Sequence, residues 1–92
     1  MNYTEDYEMI ACPCCGNFTI CDEHEEILID TCEVCHWQYD WVAQKYPDKA
    51  IGPNHGLSLN QARKNYLKYG AKSKNFIDHV REPLAEELPE NQ

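Results

Sequence analysis

Four of the six cysteines fall into the pattern Cys12-x2-Cys15, sixteen residues, Cys32-x2-Cys35, and this spacing restricts the chain more than any other feature it carries. Two cysteines three apart on a tight turn aim both sulfurs at one ion, and two such turns complete a tetrahedral four-thiolate site. In "CPCCG" either Cys14 or Cys15 could partner Cys12. Gly16 follows Cys15 directly and supplies the positive φ that such a turn often requires, while Pro13 fixes φ at the turn's entry, so Cys15 is the ligand. The second turn, "CEVCHW", has neither proline nor glycine, and its geometry is expected to be less secure. Backbone N–H groups of each turn are expected to point at the sulfurs. The expected ion is structural Zn2+, because four thiolates leave no open position for water and zinc needs no redox partner. A rubredoxin-like iron centre would use the same ligands and is the alternative. Cys14 and Cys21 are left over as packed or surface thiols.

Two other cysteine chemistries fit less well. "CEVCH" matches the c-type haem attachment pattern, but the start of the chain, "MNYTEDYE", is acidic where an export signal would be basic, and the other cysteine pair would go unexplained. "CPCC" has the form of a thioredoxin-like dithiol, yet no basic group lies near it in sequence to lower a thiol pKa. No apolar run approaches the roughly 18 residues of a membrane-spanning helix. A cytoplasmic location without membrane contact is therefore expected, and there reduced thiols favour metal over disulfides.

The length of 92 residues suggests one small domain with too little core to dispense with a staple. The expected fold class is small α+β: a zinc-ribbon-like β-hairpin unit packed against one longer and one short C-terminal helix. "NFTI" and "EILIDT" read as a hairpin between the two cysteine turns, and Trp37, Tyr39 and Trp41 alternate with polar residues as in a strand. The ribbon then spans residues 10–42, a breaker-rich loop 43–57, and helices 58–80. Ser58 with Gln61 forms a capping box, Gly70 stands just past the last turn, and Leu59, Ala62, Tyr66 and Tyr69 share one face. Ser73 caps a short helix near residues 75–79 that offers Phe76 and Ile77 or Val80 to the core. The zinc-stapled domain is expected to cover residues 1–83, with 84–92 a loose acidic tail that has room for one turn of helix.

"CPCCG", then C-x-x-C-x-W, "GPNHGLSLNQARKNYLKYGA" and "FIDHVREP" together resemble the CPCC cysteine-rich proteins of bacteria over residues 11–83. The resemblance implies a small protein with a zinc site at Cys12, Cys15, Cys32 and Cys35, and brings no activity with it. The chain departs from the family pattern at Glu33, where proline is common, and at His36, where an aromatic residue is common.

Charge separates along the chain. The formal net charge is −8; ten acids and no Lys or Arg precede Lys45, whereas seven bases and only Asp48 lie between Lys45 and Lys74. Four thiolates around a zinc ion add a net charge of roughly −2 to the acidic half. Such a molecule repels phosphates overall and attracts basic partners. Catalysis is not expected, since His24, His36, His55 and His79 are scattered and no nucleophile, histidine and acid fall at motif spacing. The expected function is a non-enzymatic, acidic protein-interaction module that presents Asp22, Glu23, Glu25, Glu26 and Asp40 to a basic protein. Its concrete form is an immunity or antitoxin protein masking a nuclease toxin. The alternatives are a ribbon built into a larger assembly and a nucleic-acid binder using the basic helix region 58–74. In the latter, Arg63, Lys64, Lys68, Lys72 and Lys74 interleave with Tyr66 and Tyr69.

Overall fold

The computed structural model describes residues 8–22, 31–50, 52–54 and 56–92, and the side chains of Glu8 and Asp22 are not among what is described. Two strands, β1 (Glu8–Ala11) and β2 (Phe18–Asp22), pair antiparallel with Met9 opposite Cys21 and Ile10 opposite Ile20, and an irregularity follows Ile10. The first cysteine turn is the tip of this hairpin. The second turn is closed in the same way by an isolated antiparallel bridge between Thr31 and Gln38. Each hairpin therefore surrounds one cysteine turn. The pairing expected between the two turns falls largely on residues 23–30, outside the described residues.

Trp37, Tyr39 and Trp41 do not form the expected strand. Helix α1 (Trp41–Lys45) begins where the alternation was to continue, because Asp40 Oδ1 accepts from the Val42 N–H at 3.1 Å and caps it. The expected loop over 43–57 thus starts with a helical turn. Trp37 is fully buried, whereas Trp41 lies exposed on α1.

Helix α2 (Leu59–Tyr69) has the expected limits. Ser58 Oγ accepts from the Gln61 N–H at 3.0 Å, and Gly70 ends the helix in the left-handed conformation. Leu59 and Ala62 are buried, Tyr66 is packed against the core, and Tyr69 is half-buried. The short helix after Ser73 is a 3-10 helix over Lys74–His79, with Phe76 half-buried and Ile77 exposed. It packs against α2.

Residues 84–92 hold two turns rather than one. They form 3-10 turns at Ala85–Glu87 and Pro89–Asn91, and the first packs on β2. The anchor is Glu87, whose two carboxylate oxygens accept from Arg81 Nη1 and Nη2 at 2.9 Å each, while Oε1 also accepts from the Leu84 N–H at 2.8 Å. A fork-to-fork pair of this kind fixes orientation as well as position.

The core is built around the sulfurs. Cys12, Cys14, Cys32 and Cys35 are buried with Ile20, Val34, Trp37, Ala43, Leu59 and Ala62 in one cluster, against which Cys15 is packed. Among the described residues the fully buried large apolar side chains are Ile20, Val34, Trp37 and Leu59, a small core to set against the chain entropy lost on folding. Among the described residues, no helix is long and apolar enough to cross a membrane.

Candidate metal centre

Both cysteine turns have one backbone pattern. In the first, the Gly16 N–H donates to the Cys12 carbonyl at 2.8 Å and the Cys12 N–H to the Asn17 carbonyl at 2.8 Å. In the second, the His36 N–H donates to the Cys32 carbonyl at 2.8 Å and the Cys32 N–H to the Trp37 carbonyl at 2.9 Å. The residue after each second cysteine has positive φ, 85° at Gly16 and 73° at His36. The second turn is therefore as well formed as the first, contrary to the weaker geometry expected from its sequence. Glycine adopts this conformation without a Cβ penalty, whereas a histidine incurs about 1–2 kcal/mol. Stacking offsets that cost: the His36 ring lies 4.6 Å from Phe76, inclined by 19°.

These turns bring Cys12, Cys15, Cys32 and Cys35 together with all four sulfurs within 4.8 Å of one another. Cys12 Sγ and Cys35 Sγ are 3.6 Å apart, and Cys15 Sγ and Cys32 Sγ 3.7 Å. None of the six cysteines is in a disulfide. A tetrahedron with Zn–S bonds of about 2.3 Å has edges of about 3.8 Å, so the separations fit one tetrahedral thiophilic ion. Cys14, the fifth sulfur, is buried in the core outside this group. Cys21 lies half-buried on β2.

The crowded sulfurs shift one another's titration. Crowded thiols cannot all ionise alone: the contact with Cys15 pushes Cys12 above the usual thiol range, and the contact with Cys12 does the same to Cys35. Cys15 and Cys32 are held below that range, first by the thiol of Cys12. The four sulfurs thus titrate as one coupled set, and a metal ion bound there would take the place of their protons. Two further donors serve the Cys32 thiolate, the Thr19 hydroxyl at 2.9 Å and the Val34 N–H at 3.3 Å. The Val34 contact is the backbone donation expected of the turn; Thr19 gave no sign of its role in sequence.

The segments after the second turn clamp both hairpin tips. Arg63 Nε donates to the Pro13 carbonyl at 2.8 Å, and Asn17 Nδ2 to the Tyr66 hydroxyl at 3.4 Å. The Lys72 N–H donates to the Cys35 carbonyl at 2.7 Å and the Arg81 N–H to the Glu33 carbonyl at 3.2 Å. Asn54, read only as part of a turn, is 1% exposed and acts as a surrogate strand: its Oδ1 accepts from the Gln38 N–H at 2.8 Å and its Nδ2 donates to the Gln38 carbonyl at 3.0 Å.

Other candidate residues are distributed differently. Glu23, Glu25, Glu26 and the Asp22 side chain lie outside the described residues, as do His24 and His55. Asp40 is half-buried and engaged as the α1 cap. A Cβ at position 52 would collide with its carboxylate, so Gly52 is what allows that close approach. Of the basic stretch, Arg63, Lys64, Lys68 and Lys74 are exposed, but Lys72 is buried and Tyr66 packs against the core.

Neither the curated proteins nor the solved structures include a match to this chain. The family model described as Cysteine-rich CPCC matches residues 10–87, a span that holds all four clustered sulfurs and reaches the Glu87 anchor. The chain belongs to the cysteine-rich CPCC family.

Proposed function

We propose that this protein is a non-enzymatic binding module in which Cys12, Cys15, Cys32 and Cys35 hold a structural Zn2+ in a ribbon-like pair of turns. The observation that carries the reading is the convergence of four sulfurs, three of them buried, from two turns of one hydrogen-bonding pattern. A site whose four ligands all come from protein leaves no position for water or substrate, which is the design of a structural centre. The ion, when bound, cross-links four thiolates and neutralises part of their charge. In small domains such binding contributes on the order of 10–16 kcal/mol near neutral pH.

The rigid body so formed presents an acidic surface to a basic protein. The net charge of −8 supports this, because complementary fields raise association rates and specificity. In its concrete form the module is an immunity or antitoxin protein that covers the cationic groove of a nuclease toxin in the cytoplasm. Affinity capture with the zinc-loaded chain from its native lysate tests the reading. A basic protein should be retained at low salt, released as salt rises, and lost when Glu25 and Glu26 are both changed to Lys. Retention of nucleic acid in its place, abolished by nuclease treatment, would favour use of Arg63, Lys64, Lys68 and Lys74 instead.

A further inference from the structure

Lys72 is 2% exposed, although a lysine is almost never fully buried without a counter-charge. Its ammonium donates to Asn54 Oδ1 at 3.2 Å and sits 4.6 Å from the centre of the Phe76 ring. Neither partner carries a negative charge. Among the described residues the ion pairs are those of Arg81 with Glu33 and Glu87, and no described carboxylate pairs with Lys72. The Lys72 N–H donates to the Cys35 carbonyl at 2.7 Å, which ties its backbone to the second cysteine turn.

We infer that Lys72 is the built-in counter-charge of the four-thiolate centre, a positioning residue that sets how tightly the centre holds its metal and how strongly its sulfurs donate. The inference rests on the metal reading above and concerns a residue that is not a ligand. With Zn2+ and four thiolates the centre carries roughly −2, and a buried ammonium nearby reduces the local excess without occupying a coordination position.

The surrounding residues are arranged to keep that charge in place. Asn54 presents Oδ1 to both Lys72 and the Gln38 N–H, so one amide oxygen joins the ammonium to the backbone leaving the second cysteine turn. Phe76 contacts the ammonium and also stacks on His36, the residue that closes the same turn. Asn65 Nδ2 holds the Lys72 carbonyl at 2.9 Å. An aromatic face and an amide oxygen suit a cation stripped of water.

A lysine buried only for packing behaves in the opposite way. Replacing a buried charge that lacks a counter-charge by an apolar side chain of similar length is neutral or stabilising and leaves the metal unaffected. Lys72→Met keeps the stem and removes the charge; Lys72→Arg keeps the charge. The full-length protein is loaded with Zn2+ and titrated with a chromophoric chelator, and a Co2+-loaded sample reports the sulfur-to-metal charge-transfer band. The expected result for Lys72→Met is zinc affinity about 10–100-fold lower, the range typical of outer-shell partners. Its charge-transfer band moves to lower energy, as freed thiolates donate more strongly, while the Co2+ ligand-field bands keep their tetrahedral pattern. Lys72→Arg retains most of the affinity and the wild-type band. Unchanged affinity and band position in Lys72→Met overturn the inference while the metal centre stands. Equal losses in the Met and Arg variants with an unmoved band also overturn it, since they denote packing. A wild-type chain that takes up neither metal overturns both this inference and the metal reading.

Discussion

Replacing His36 with alanine should destabilise the zinc-loaded protein by about 1 kcal/mol, the worth of the lost stack on Phe76, because alanine keeps the left-handed backbone at φ 73° and gives up the ring contact. Replacing it with glycine should be close to neutral, since relief of about 1–2 kcal/mol of backbone cost offsets the same loss. Denaturant titration of the two variants checks the contrast. Asn54→Ala should cost about 3 kcal/mol or more, as it orphans the Gln38 N–H, the Gln38 carbonyl and the Lys72 ammonium together. The four sulfurs that cluster were legible from spacing, and Gly16 pointed to Cys15, which joins the cluster, over Cys14, which does not. Residues that act through a distant partner were not. "PNHG" reads as a turn whether or not its asparagine pairs with a backbone sixteen residues earlier, and Lys72 reads as one more surface cation. Nothing local in "CEVCHW" announces that Phe76 will hold His36 in a conformation other residues avoid.

At the level of elements, sequence signals succeeded where chemistry was local. Ser58, Gln61 and Gly70 bounded α2 because caps and left-handed ends are decided within a turn. The same logic applies at Asp40, but the period-2 pattern of Trp37, Tyr39 and Trp41 masks it, and a five-residue helix is too short to show its own period. The C-terminal turns depend on Arg81 and Glu87, six residues apart. Arg81 holds the Glu87 carboxyl below the usual carboxylate range, against the opposing effect of burial. Because the folded-state value is depressed, this contribution is present in full above the unfolded-state value of about 4.3 and is lost as pH falls through the folded-state value. Glu87→Gln should therefore raise amide exchange over residues 84–92 at neutral pH. Its difference from wild type should shrink as the pH is lowered below about 4. A difference that grows in acid would contradict the assignment.

Across the whole molecule, the sulfurs occupy the place where a larger domain would put leucines and phenylalanines. Helix α2 and the segment from Lys72 to Arg81 converge on the two hairpin tips around that centre, through Pro13, Asn17, Glu33 and Cys35. Small α+β architecture was readable because a metal-site spacing leaves few ways to close 92 residues. The pairing that closes each turn, β1 with β2 and Thr31 with Gln38, was not, because pairing around each turn and pairing between turns draw on the same β-branched segments. Metal content measured on the purified chain, with each cysteine replaced in turn by serine, tests the central claim most directly. The account predicts one zinc per chain, lost with loss of folded structure on chelation or on replacing Cys12, Cys15, Cys32 or Cys35, and kept when Cys14 or Cys21 is replaced. A chain that stays folded without metal, or one that loses its metal with Cys14 and keeps it without Cys15, would contradict it.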